Sequence, residues 1–171
     1  MSEILIERMR KVVARWGDGV LKEAAALERK IAEAAADALA DAMLEADTMG
    51  EALAHSGLTE AEEELRAVHT MEGAVNSGGF SQFFEDCGRE EVEHARRGCE
   101  RIGAPHFTEI VVAALAAVPE GEEDDLSEEV TEALNEVDER FYDGYRDIEE
   151  LLKMRLAYAA DHPDEFRLLR G

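Results

Sequence analysis

Residues 75–84 read Val75-Asn76-Ser77-Gly78-Gly79-Phe80-Ser81-Gln82-Phe83-Phe84, and this stretch stops one helix and starts the next. Glycine tolerates the left-handed conformation that commonly ends a helix, so we expect a positive φ at Gly78 or Gly79. Phe80, Phe83 and Phe84 follow at i, i+3 and i+4, a spacing that places three side chains on one helix face. The stretch therefore predicts two helices joined at a glycine joint (Gly78 and Gly79), with an aromatic face that is buried and Gln82 turned away from it.

Helical patterns extend from this joint in both directions. Toward the N-terminus, Thr59 and Glu62 form the pattern of a capping box before a helix reaching about residue 75, and an alanine-rich segment at 20–47 predicts a long helix. Toward the C-terminus, the pattern predicts helices over 80–87, 90–102, 105–118, 127–140 and 145–160, the fourth capped by Ser127. Runs of β-branched and aromatic residues, which are typical of strands, are scarce. The prediction is an all-α, single-domain multi-helix bundle with a long Ala-rich N-terminal helix.

Breaks in the pattern divide the chain at about residue 58. Residues 1–58 are predicted to form an N-terminal helical extension, with breaks near 17–19 and 48–50, that packs on a main helical domain at 59–171. No apolar run approaches the roughly 20 residues of a membrane-spanning helix, and Glu3, Glu7 and Arg8 occupy the place of a signal peptide's apolar region. We therefore expect a cytoplasmic protein that does not bind membranes.

The charge of the chain is its most unusual property. The 171 residues include 41 acidic and 18 basic side chains, which give a formal net charge of −23. Nucleic acids and anionic membranes are poor partners for such a chain, because binding them depends on Lys and Arg to neutralise phosphate. Basic proteins are the expected partners. A homodimer is a further hypothesis.

One acidic run stands out within this composition. Between Pro119 and Arg140 the sequence contains no Lys or Arg, and its acidic residues are Glu120, Glu122, Glu123, Asp124, Asp125, Glu128, Glu129, Glu132, Glu136, Asp138 and Glu139. In a helix, carboxylates at i, i+3 and i+4 lie about 5–6 Å apart, close to the charge spacing along a phosphate strand. The candidate partner-binding residues are therefore Glu128, Glu129, Glu132, Glu136 and Glu139. The alternative is an acidic helix face that is only solvated.

The sequence singles out no catalytic residue, cofactor-binding loop or metal site. Glu91 and His94 have the Glu-x-x-His spacing of di-iron helical bundles, but no other histidine has a Glu three residues before it. We therefore expect this pair to lie on a solvated helix face. Cys87 and Cys99 are too few for a disulfide framework and form no Cys-x-x-Cys pair. An enzyme of unrecognised type is left as one alternative to an interaction protein.

The joint also resembles a known signature. Asn76, Gly78, Gly79, Phe80, Gln82 and Phe83 are similar to the Asn-Gly-Gly-Phe-x-Gln-Phe pattern of a bacterial family that includes DNA mimic protein nineteen, otherwise catalogued as a domain of unknown function. Ser77 stands where that family often has a second Asn. Further similarities follow in the same order at residues 101–104, at Phe141-Tyr142 and at 158–166, so that the resemblance covers about residues 59–166.

The resemblance implies an all-helical fold and an acidic surface that imitates duplex DNA and occupies basic DNA-binding proteins. It implies no catalytic residues. A different hypothesis from the charge alone is an immunity or antitoxin-like protein that covers the basic surface of a toxin. In both cases the chain is a non-enzymatic interaction module without a cofactor.

Overall fold

The computed structural model describes residues 2–16, 21–46, 49–123, 125–144 and 148–167. Over these ranges the chain is helical and has no strand, which confirms the predicted all-α multi-helix fold. The predicted break at 17–19 and the predicted start of the last helix at Tyr145 lie outside the described residues, as does Thr48. The predicted break at 48–50 is wrong for Met49 and Gly50, because α3 already begins at Met49. The helices are α1 (Ser2–Ala14), α2 (Leu21–Met43), α3 (Met49–Ser56), α4 (Glu60–Arg101), α5 (Pro105–Ala117), α6 (Glu128–Gly144) and α7 (Ile148–Asp161), followed by a 3-10 turn at Pro163–Glu165.

The chain divides into two compact units, with one boundary inside α4. One unit comprises Met1–Arg66 with Ile148–Gly171, and the other comprises Ala67–Asp147. In the first unit, α2 is the predicted long alanine-rich helix of 23 residues and packs on α1, α3 and α7. In the second, α5 packs on α6. The predicted domain boundary between residues 58 and 59 stays a prediction. Among the described helices, none is both long and apolar enough to cross a membrane.

Polar contacts join the two ends of the chain within the first unit. Arg155 of α7 forms an ion pair with Glu28 of α2, and the two side chains are only 4% and 13% exposed. Arg10 of α1 donates a hydrogen bond to the carbonyl of Ala160 at 3.1 Å. Because breaking a buried ion pair is costly, loss of Glu28 would remove a charged partner from buried Arg155 and should destabilise this unit.

The predicted capping box is present at the start of α4. The backbone N–H of Thr59 donates to the carboxylate of Glu62 at 2.9 Å, and the N–H of Glu62 donates to the Thr59 hydroxyl at 3.2 Å. These two bonds satisfy donors that have no partner inside the helix. The start of α4 was therefore correctly predicted.

The helix α4 is interrupted at the predicted joint. Gly79 has φ 76° and ψ −174°, a region that only glycine occupies readily, whereas Gly78 has a negative φ of −161° with ψ 22°. The expectation of a positive φ at one of these two glycines is thus confirmed, and the residue is Gly79. Gly88 has φ 75° and ψ 170°, which ends the short second segment. The helix α4 consists of segments at 60–77, 80–87 and 89–101, close to the three predicted helices.

The aromatic residues after the joint form the centre of the second unit. Phe80, Phe83 and Phe84 are fully buried, which confirms the predicted aromatic face. The Phe141 ring of α6 meets the Phe80 ring edge-on at 6.0 Å and the Phe107 ring of α5 at 5.6 Å. These rings connect the segment after the joint to both α5 and α6.

Two side chains of α6, one turn apart, bond to the backbone on either side of the joint. The carboxylate Oδ1 of Asp138 accepts the N–H of Phe80 at 2.8 Å, at the start of the second segment of α4. The phenol of Tyr142 donates to the carbonyl of Val75 at 2.6 Å, in the last turn of the first segment. Terminal N–H and carbonyl groups lack partners within their own helix. The helix α6 therefore supplies an acceptor to one helix end and a donor to the other.

The joint yields a stability prediction. A β-carbon at Gly79 would overlap the Asp138 carboxylate and would also hold alanine at a positive φ. Replacing Gly79 by Ala should lower the free energy of unfolding by about 2 kcal/mol or more. A β-carbon at Gly78 meets chiefly the flexible side chain of Gln82, so G78A should change this free energy by less than about 1 kcal/mol. Urea denaturation followed by circular dichroism measures both; equal losses in the two variants would contradict the assigned backbone conformations.

Candidate partner-binding surface

The helix α6 begins at the predicted cap. The N–H of Val130 donates to the hydroxyl of Ser127 at 3.3 Å, and the N–H of Thr131 donates to the Ser127 carbonyl at 2.9 Å. Glu128 and Glu129 occupy the first turn, where negative charge interacts favourably with the helix dipole. The acidic residues therefore stabilise the start of the helix as well as charging its surface.

All five candidate residues lie on the exposed side of α6. Glu128, Glu129, Glu132, Glu136 and Glu139 are each exposed to solvent. The opposite side of the helix is buried and apolar, and consists of Val130, Leu134, Val137 and Phe141. Packing of this apolar side determines which way the glutamates face.

The acidic residues form a narrow stripe along α6. At about 100° of rotation per residue, the five glutamates fall within an arc of roughly 100°, and exposed Asp143 falls within the same arc. We call Glu128, Glu129, Glu132, Glu136, Glu139 and Asp143 the acidic stripe. Its six carboxylates span about 22 Å of helix axis, or one charge per roughly 4 Å, against about 3.4 Å per charge along one DNA strand. The stripe thus approaches the charge density of a single phosphate strand.

The acidic run is less uniform than the sequence indicates. In the loop before α6, the carboxylate of Glu123 lies 3.8 Å from the guanidinium of Arg89, and both side chains are largely buried. Arg89 also donates to the carbonyls of Val118 and Leu115 at 2.8 and 3.0 Å, at the end of α5. Asp138 binds the backbone of Phe80, and Asp124 lies outside the described residues. Only part of the run is therefore open to a partner.

Asp138 and Tyr142 lie at the edge of the stripe, and the pKa of each side chain is raised. Burial raises the pKa of the Asp138 carboxyl, and the hydrogen bond from Phe80 opposes this rise. Burial also raises the pKa of the Tyr142 phenol, and the nearby charge of Asp138 raises it further. The neutral phenol, which is the form that donates to Val75, is therefore favoured.

The signature residues divide between surface and core. Asn76 and Gly78 are exposed, Gly79, Phe80 and Phe83 are buried, and Gln82 is partly buried. The amide of Gln82 donates to the carboxylate of Asp86 at 3.0 Å, one turn further along the helix. The hydroxyl of Ser77 donates to the carbonyl of Gly73 at 2.8 Å, which satisfies a helix-end acceptor. The signature therefore describes the backbone turn and its aromatic anchors.

The expectation for Glu91 and His94 is wrong. They were expected on a solvated helix face, but they are only 3% and 7% exposed, and His94 Nδ1 lies 4.0 Å from the Glu91 carboxylate. The reason is helical phase: both residues lie on the inner face of the third segment of α4, together with buried Val92, Ala95 and Cys99. This buried face includes two polar residues at one edge. A pattern of apolar residues alone does not predict that polar residues are buried there.

Sequence reasoning did not assign a role to three residues of α6. The sequence indicates Asp138 only as one acid of the run and Tyr142 only as one of a pair of aromatics, and Asp143 lies beyond Arg140, the base that ends the run. The helical angle contains a signal for Asp138, because it lies outside the arc of the other acids. Its bond to Phe80 joins residues 58 positions apart and has no local sequence signal.

One comparison with known proteins gives a match. A family model described as DMP19-like protein matches residues 56–162, which is more than half of the chain. The match includes the joint, α5, α6 and the residues of α7. No curated protein and no solved structure matches the chain.

The edge of the stripe yields a titration prediction. Because its folded pKa is raised, the Tyr142 phenol contributes stability that is present below the pKa of an unfolded tyrosine, about 10, and that is lost as pH rises through the folded pKa. D138N keeps an acceptor for Phe80 but removes the charge, so it should lower the pKa of Tyr142 without returning it to the usual value. Tyrosinate absorbance, with Y142F as the reference, measures this pKa. An unchanged pKa in D138N would contradict the coupling of the two side chains.

Proposed function

Because the chain belongs to the DMP19-like protein family, we propose that it is a DNA mimic whose acidic stripe occupies the DNA-binding surface of a basic protein. The family match supports the class of function, which is DNA mimicry. The exposed charges of the stripe support α6 as the surface that contacts the partner. In this proposal the protein is not an enzyme and uses no cofactor. A cytoplasmic location is part of the proposal, since DNA-binding proteins are the partners.

The main supporting observation is the arrangement of charge on α6. Its exposed carboxylates are spaced nearly as densely as the phosphates of one DNA strand, over about two thirds of a helical turn of duplex. Arg140 is the one base of α6 and lies beside the stripe rather than within it. A protein surface that binds phosphates with Lys and Arg would therefore meet a similar row of negative charges.

The contacts that hold α6 in place also favour a role as a binding surface. The buried side of α6 and the bonds from Asp138 and Tyr142 hold the helix at several points along its length. A rigid surface loses little conformational entropy on binding. The mimic can therefore present its charges in the bound arrangement before the partner arrives.

The proposal predicts a salt-sensitive interaction that depends on the stripe. The whole protein, immobilised at low salt, would be used to capture proteins from the host, and each captured DNA-binding protein would be tested for release of a labelled DNA duplex. Replacing Glu128, Glu129, Glu132 and Glu136 by Gln keeps side-chain size while removing four charges. We expect affinity to fall about tenfold or more at ~0.1 M salt, and the dependence on salt to become shallower.

A matched control removes four charges elsewhere. Glu33, Asp37, Asp41 and Glu45 are exposed at i, i+4 spacing in and just after α2. The E33Q/D37N/D41N/E45Q variant has the same net charge as the stripe variant and should bind almost as tightly as the unmodified protein. Equal losses in both variants would mean that net charge alone causes binding, which would contradict the proposal.

The same experiment separates the alternatives. If the captured partner is a basic toxin whose activity the protein blocks without competing with DNA, the immunity hypothesis replaces mimicry. If the stripe variant binds and competes as well as the unmodified protein, α6 is a solvated face. A homodimer stays a prediction, to be tested by the mass of the protein in solution.

A further inference from the structure

Tyr142 is an exposed aromatic side chain at the edge of the acidic stripe. It is 46% exposed, and it follows Glu139 by three residues, so that their side chains are neighbours on the helix surface. The ring therefore lies beside the row of carboxylates, where exposed aromatic surface and negative charge are open to the same partner group.

The ring is held in one orientation in spite of its exposure. Its hydroxyl donates to the carbonyl of Val75 at 2.6 Å, and its ring packs against the Phe141 ring nearly at a right angle (87°), with the ring centroids 5.8 Å apart. Each contact limits a different rotation of the side chain. A ring that is already ordered contributes to binding without a further loss of side-chain entropy.

We propose that Tyr142 and Glu139 together form a site for an arginine side chain of the partner. The guanidinium would stack on the exposed face of the Tyr142 ring while it pairs with the carboxylate of Glu139. Arginine suits both contacts, because its planar cation is weakly hydrated, stacks on aromatic rings and binds carboxylates with two parallel bonds. Lysine is a compact and strongly hydrated cation, and it gains less from the ring.

The inference rests on the proposed function and narrows it. A row of carboxylates attracts any cationic surface, and charge alone distinguishes poorly between partners with Lys and partners with Arg. An aromatic ring beside the row adds a short-range preference that salt screens much less. The partner is thus a DNA-binding protein that presents arginine where it contacts DNA.

The test uses two labelled probes of equal length and charge, an oligo-arginine and an oligo-lysine peptide of about ten residues. Binding to the whole protein is measured by fluorescence anisotropy over a series of salt concentrations. We expect the unmodified protein to prefer oligo-arginine, and Y142L to lose about two- to fivefold in affinity for oligo-arginine, with little change for oligo-lysine. Carboxylates elsewhere on the chain contribute equally in all variants, so the change in the ratio of the two affinities reports on Tyr142.

Y142F separates binding from stability. It keeps the ring face but loses the bond to Val75, so it should retain the preference for arginine while its free energy of unfolding falls as in Y142L. Y142L should therefore bind oligo-arginine more weakly than Y142F, although both variants should be folded to the same extent. Circular dichroism measures the extent of folding. E139Q should lower the affinity for oligo-arginine more than D37N, an exposed acid on α2, does.

Two outcomes would overturn the inference. If Y142L and Y142F have the same ratio of affinities, the ring takes no part, and Tyr142 serves only to fasten α6 to the joint. If E139Q and D37N weaken binding equally, Glu139 is not part of the site. The stripe variant (E128Q/E129Q/E132Q/E136Q) tests the proposed function separately. If this variant loses salt-sensitive competition with DNA, the proposed function stands even when the inference fails. If it competes as well as the unmodified protein, the proposed function fails.

Discussion

The second unit depends on the two hydrogen bonds that hold α6 against the glycine joint. The joint creates two helix ends in the middle of α4, and such ends leave backbone donors and acceptors without partners. Asp138 accepts the N–H of Phe80 and Tyr142 donates to the carbonyl of Val75, so one turn of α6 serves both ends. Gly79 is required in turn, because any side chain there would displace the Asp138 carboxylate. The turn in α4 and the position of α6 therefore determine each other.

With α6 held in this position, three sides of the helix have different roles. Its inner face, which includes Leu134 and Phe141, is buried with the aromatic residues that follow the joint. Its edge contains Asp138 and Tyr142, which bond to the backbone of α4. Its outer face is the acidic stripe. Mutual repulsion of carboxylates destabilises a compact protein, and burial of the inner face of α6 offsets this cost for the stripe.

Much of this arrangement could be predicted from local sequence. The cap at Ser127, the capping box at Thr59 and the aromatic face after the joint depend on residues three or four positions apart, which is the range over which helical spacing is informative. The five glutamates of the stripe were identified in the same way. Contacts between distant residues have no such signal. The role of Asp138 depends on a partner 58 positions away, and the burial of Glu91 and His94 depends on the helices around them.

The arrangement of charge is more informative than its amount. A net charge of −23 would attract many cationic proteins if it were spread evenly, but it would give no particular geometry to the contact. Glu123 and Asp138 show that some acids of the run are used inside the fold, while those of the stripe face outward at regular spacing. Because the packing of Val130, Leu134 and Val137 sets the rotation of α6, the core decides where the carboxylates point. The outward-facing row of carboxylates is therefore a consequence of how α6 packs, and a substitution that rotates this helix would redirect the stripe without altering a single charge.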